Sequence, residues 1–199
     1  MLRRIGWEGF VKESNMQLIT IKFEKKLFRY ILTICIFAMF VTIGAYAYLG
    51  SFSRYRADDY CEAVSVREHS PINAVIDRYS TGAWRAANRY SNLFFVGVGE
   101  MLGSNNMQIT IVAMLLLWVV GLSWSTYEIR KFVKIDWLTS LDIFWGTTLG
   151  FFSLLLAPNL FQTIYWRSSM MTHFAPLVFG SFLFAFLVRQ LKRLRIEPP

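Results

Sequence analysis

The sequence predicts an all-α membrane protein of about four transmembrane helices, with a long extracytoplasmic loop that contains a membrane-parallel amphipathic helix. Composition is the first reason. Of 199 residues, 55% are hydrophobic and 17% charged, with 18 Phe, 9 Tyr and 7 Trp, too apolar and aromatic for an ordinary soluble domain. The second is the placement of the formal charge of +8: residues 1–30 hold seven Lys/Arg, 125–137 hold three and 189–195 hold four, so 14 of 21 flank apolar runs. Basic residues concentrate there at cytoplasmic helix ends. There is no separate basic domain, which argues against nucleic-acid binding. The two cysteines, Cys35 and Cys61, cannot make a disulfide framework, so the fold does not depend on oxidation. Cys35 reads as a small core residue and Cys61 as a loop residue.

Residues 1–29 form a basic cytoplasmic segment, with Lys22, Lys25, Lys26 and Arg29 crowding the membrane approach; Met16 is an alternative start. Residues 30–190 form the membrane domain and 191–199 a cytoplasmic tail. Tyr30 to Leu49 is uncharged and long enough to cross a ~30 Å hydrocarbon core as a helix. Ala45-Tyr46-Ala47 resembles a signal-peptide cleavage site, but the apolar run exceeds the ~7–15 residues of a signal core, so it reads as an uncleaved span.

The loop of residues 50–106 carries six arginines. Ser70-Pro71 is a good helix start, a capping hydroxyl followed by proline at the first helical position. From Ile72 to Phe94 the apolar residues keep helical spacing and cover one face about 120° wide. Arg78, Arg85 and Arg89 fall within about 20° of one line beside that face. They read either as a binding stripe or as a solvated edge reaching lipid headgroups.

Met107–Trp124 is the second expected span, followed by a turn from Tyr127 to Trp137 containing Arg130, Lys131 and Lys134. Leu138–Ala157 is the third, with Asp142 near its inner end as a local cap or helix-pairing group. Pro158–Thr172 returns outside and carries Tyr165-Trp166-Arg167. Phe174–Val188 is the fourth, stopped by Arg189, Lys192, Arg193 and Arg195. Both termini are expected in the cytoplasm.

The chain has no Gly-Lys-Ser/Thr phosphate loop, dinucleotide fingerprint or Cys/His zinc cluster, and only His69 and His173 for histidine chemistry. The chemically distinctive stretch is Arg56-Ala57-Asp58-Asp59-Tyr60, two adjacent carboxylates just outside the first span. Solubility alone would explain an acidic pair. Its position before an arginine-bearing amphipathic segment also suits chemistry on a phosphate-bearing lipid.

An acidic pair after a first span, then a long loop of membrane-parallel helices, resembles the first module of GT-C-type glycosyltransferases, which take sugars from polyprenyl-phosphate carriers. The nearer similarity is to bacterial members with an Asp-Asp-Tyr/Phe-Cys segment, a Trp-x-Gly-Arg-like segment and a later Tyr-Trp segment. The corresponding residues are Asp58-Asp59-Tyr60-Cys61, Tyr79-Ser80-Thr81-Gly82-Ala83-Trp84-Arg85 and Tyr165-Trp166. In the middle segment Trp84 follows Gly82 instead of preceding a Gly-Arg pair. The similarity covers roughly residues 25–190, and GT-C enzymes usually have more spans.

The resemblance implies transfer of a sugar from a polyprenyl-phosphate carrier to an acceptor at the outer face of a bacterial inner membrane, by this protein or by a larger one of which it is the N-terminal part. Asp58 or Asp59 would be the general base, or would hold a divalent cation on the departing phosphate. Arg78, Arg85 and Arg89 would neutralise the carrier phosphate. Tyr60, Tyr165, Trp166 and Arg167 would contact sugar or acceptor, although Tyr165 and Trp166 also suit the aromatic belt at the membrane interface. A non-catalytic scaffold or accessory subunit that binds a larger membrane partner is the alternative. A transporter is disfavoured, because no span carries a midplane ion site.

Overall fold

The computed structural model of the chain describes residues 7–80, 90–103 and 106–196. Among them there are helices and no strands. The helices are α1 (Trp7–Gly50), α2 (Asp58–His69), α3 (Pro71–Ser80), α4 (Tyr90–Glu100), α5 (Asn106–Val133) and α6 (Thr139–Leu155). A π-helical turn, Phe161–Tyr165, leads into a helical stretch made of α7 (Arg167–Ser169), a second π turn (Met170–Phe174) and α8 (Ala175–Ile196).

Three segments are long and apolar enough to cross a membrane: Glu24–Gly50, Asn106–Val133 and Arg167–Leu194. The chain is therefore described as a multi-pass membrane protein. The remaining long helix, α6, has 17 residues. It would span about 26 Å at 1.5 Å per residue, a little under the usual hydrocarbon thickness.

Helix α5 is the hub, packing against α6, α8 and α1, while α1 also lies along α6. The core is built from Ile111, Met114, Leu115, Trp118 and Val119 of α5 with Leu154, Ile164, Met170, Phe174 and Val178. Where apolar lipid surrounds the helices, association depends on close packing and polar pins more than on hydrophobic expulsion. Both are present. A Cβ placed on Gly146 would lie 2.5 Å from the backbone Cα and N of Ser123, so only glycine lets α6 approach α5 this closely. Trp118 Nε1 donates to Ser153 Oγ at 2.9 Å, and Ser125 Oγ donates to the Ser181 carbonyl at 2.9 Å.

At the far end from the loop, Arg130 Nε donates to Asp142 at 3.1 and 2.9 Å, and Trp137 Nε1 donates to the same carboxylate at 2.8 Å. Asp142 thus pins α5 to α6, the pairing role read from its position. The surrounding turn is shorter than expected. Helix α5 runs through Val133, so Arg130 lies on the helix and is buried. Cys35, expected in the core, is exposed on the outside of α1, and neither cysteine is bonded.

The loop folds into a small helical lobe. Of the amphipathic helix expected from Ile72 to Phe94, the described parts fall in α3 and α4, which pack on each other, and residues 81–89 lie outside the described residues. Helix α3 does begin at Pro71, with Asn73 N donating to Ser70 Oγ at 3.5 Å. A Cβ on Gly97 would come within 2.6 Å of the Pro71 ring, so the start of α3 rests on the end of α4. Val66, Ala74 and Leu93 make the lobe's own small core, whereas Ile72, Ile76 and Tyr79 are exposed.

Candidate functional site

The lobe is tied to the helix bundle by a buried polar network. Arg167, at the start of α7, is 1% exposed, and its guanidinium stacks on the Tyr55 ring with 4.4 Å to the centroid. It donates through Nη1 to Glu100, through Nη2 to the Asp59 carbonyl at 3.0 Å, and to Asn106 Oδ1 at 3.5 Å. Glu100 also receives hydrogen bonds from the Tyr55 hydroxyl, from Asn106 Nδ2 at 2.9 Å and from Arg67 at 3.0 and 2.8 Å. Burial pushes the Glu100 carboxyl up, but Tyr55, Arg167 and Arg67 together outweigh it and hold the group below its ordinary value.

The acidic pair divides. Asp59 is fully buried: its Oδ1 accepts from Ser168 N at 2.9 Å and its Oδ2 from Arg56 N at 3.0 Å. Burial raises its pKa, against the lowering effect of those N–H donors and of Arg167. Its neighbour Asp58 is exposed. Between Arg56 and the helix, Ala57 takes φ 41° and ψ −111°, a conformation unusual for a residue with a Cβ. That turn points one carboxylate into the network and leaves the other at the surface.

Asp58 lines a cleft of about 250 Å³ with Gln162, Trp166, Ser168, Ser169, Thr172 and His173. The π turns on either side of α7 widen the helix here, as such turns often do at functional sites. Trp166 Nε1 is a shielded donor lacking a hydrogen-bond partner among the described residues. The cleft therefore offers a carboxylate, hydroxyls, an amide, an imidazole and an indole at one end of the bundle.

The other expected site residues separate. Tyr60 lines another recess, with Ser53, Arg54, Tyr55, Met107 and Gln108. Tyr165 donates its hydroxyl to the Tyr46 carbonyl at 3.0 Å, locking the π turn onto α1. Arg167 is enclosed in the network and is not presented to the cleft. Arg78 lies close enough to Glu62 to influence its charge. Arg85 and Arg89, like Gly82 and Trp84, lie outside the described residues.

Glu62, one turn beyond the acidic pair on α2, joins the same network. It is 3% exposed and accepts from Asn92 Nδ2 at 3.1 Å and Ser168 Oγ at 3.2 Å. Burial raises its pKa more than Ser168, Arg78 and Arg167 lower it. Tyr55, Asn92, Glu100, Asn106 and Ser168 were missed. The available signal was a set of polar residues at the ends of apolar runs, Glu100 and Asn106 above all.

As for a divalent cation, both oxygens of Asp59 are occupied by backbone donors. Among the described residues no group of three His, Cys, Asp or Glu side chains is arranged to hold a metal ion. No family model, no curated protein and no solved structure matches the chain.

Proposed function

We propose that the chain is a GT-C-like membrane glycosyltransferase module that moves a sugar from a polyprenyl-phosphate carrier to an acceptor hydroxyl, with Asp58 as the general base. The observation that carries this reading is the division of the acidic pair: Asp59 is buried, and Asp58 is exposed in a polar cleft beside Trp166. In the step proposed, the acceptor oxygen attacks the sugar's anomeric carbon and Asp58 takes its proton. The bond from that carbon to the phosphate oxygen breaks, and the carrier phosphate leaves with the electron pair. Trp166 would stack on the sugar, with Gln162 and Thr172 hydrogen-bonding its hydroxyls. Arg78 would neutralise the departing phosphate, with Arg85 and Arg89 as further cations.

The basic flanks support four spans, counting α6, with both termini in the cytoplasm of a bacterial inner membrane. The Asp58 cleft then faces the outer side, where lipid-linked sugars are used. The test is transfer by the purified chain, alone and with its native membrane, from a range of polyprenyl-phosphate sugars. Transfer above a chain-free control supports the reading. No transfer under either condition would replace it with that of a non-catalytic accessory subunit.

A further inference from the structure

A separate recess lies at the opposite end of the bundle, between α1 and the start of α6. It has a volume of about 360 Å³ and is lined by Glu24, Lys25, Phe28, Arg29 and Leu138. We infer that this recess binds an anionic phospholipid of the adjoining leaflet, its phosphate between Lys25 and Arg29 and its acyl chains against Phe28 and Leu138.

Lys25 and Arg29 are four residues apart on a helix, so they project from one face and repel each other. Both are exposed, and among the described residues neither is in an ion pair. Lys26 differs, lying over the Tyr30 ring at 5.8 Å. Among the described lining residues Glu24 is the one carboxylate, so two cations face one anion there. An added phosphate would complete the charge balance.

The apolar part of the recess selects a lipid over a free anion. Phe28 is 46% and Leu138 37% exposed, and Ile31, one turn further along α1, is 53% exposed. These side chains lead from the charged rim into the membrane-crossing segment that begins at Glu24. A free phosphate would touch only the rim. A phospholipid matches both parts, as at other basic pockets between membrane helices.

Native mass spectrometry of the full chain in detergent, titrated with phosphatidylglycerol or phosphatidylcholine, reads the site directly. The wild type should prefer phosphatidylglycerol, and Lys25→Gln/Arg29→Gln should bind it roughly 30-fold more weakly. Arg189→Gln/Arg193→Gln, which removes two exposed cations from the same end of the bundle, should bind like wild type. An unchanged thermal unfolding midpoint in phosphatidylcholine nanodiscs verifies that each variant is folded. Three results would overturn the inference: undiminished binding by the first variant, equal losses in both, or displacement of the lipid by millimolar inorganic phosphate.

Discussion

Arg167 Nη2 donates to the main-chain carbonyl of Asp59 at 3.0 Å, joining two positions 108 residues apart in the chain. The same guanidinium binds Glu100, so one side chain holds α2, α4 and the start of α7 together. Removing a buried cation from its partner carboxylate typically costs about 3–5 kcal/mol. Arg167→Met should therefore lower the thermal unfolding midpoint strongly in detergent. Arg167→Lys should rescue little, because an ammonium cannot reproduce both the forked hydrogen bonds and the stacking on Tyr55.

Glu62 and Glu100 should respond oppositely to pH. The folded pKa of Glu62 is raised above its ordinary 4.5, so its contribution is complete below that value and is lost as pH rises through the folded value. Glu62→Gln keeps a neutral partner for Asn92 and Ser168 and should remove this loss, leaving neutral-pH stability equal or higher. The folded pKa of Glu100 is lowered, so its contribution is present above 4.5 and lost as pH falls through the folded value. Glu100→Gln should destabilise at pH 7 and much less at acid pH. Denaturation of both variants across pH 3–8 checks the two signs.

Helix contact predicts a graded glycine series. Gly146→Ala would drive a methyl into the backbone of Ser123 and should cost about 1–3 kcal/mol. Gly44 and Gly180 have nothing within 4 Å of the added carbon, so Ala at either should be neutral or stabilising by about 0.5–1 kcal/mol through helix propensity. Unfolding midpoints of the three variants in one detergent decide it.

The elements that could be read from sequence were those set by local pattern. Apolar runs announced the three segments long and apolar enough to cross a membrane, Ser70-Pro71 marked the start of α3, and the isolated Asp142 announced a polar pin. What escaped depended on contacts between distant segments. The burial of Asp59 beside the exposed Asp58 was not legible in sequence, because it rests on the backbone N–H groups of Arg56 and the distant Ser168. Arg167 resembled a surface contact residue because its partners Tyr55, Glu100 and Asn106 lie 61 to 112 positions away. The apolar spacing from Ile72 to Phe94 suggested one helix, but its described ends lie in α3 and α4, which pack on each other.

Orientation is tested by labelling single cysteines at Ser65→Cys in α2 and Lys131→Cys in α5, in a background lacking Cys35 and Cys61. A membrane-impermeant thiol reagent applied to intact cells should reach position 65 and not position 131. The reverse pattern would place the Asp58 cleft in the cytoplasm and remove the proposed outer-face reaction.

The most direct measurement compares Asp58→Asn with Asp59→Asn in sugar transfer and thermal unfolding together. Loss of a general base typically lowers turnover ~10²–10⁴-fold. Asp58→Asn should show a loss of that size with an unfolding midpoint close to wild type, because Asp58 is exposed in the cleft. Asp59→Asn should lower the midpoint, because it replaces one of the oxygens that accept from Arg56 N and Ser168 N with an amide NH₂. Wild-type transfer rates in Asp58→Asn would contradict the account.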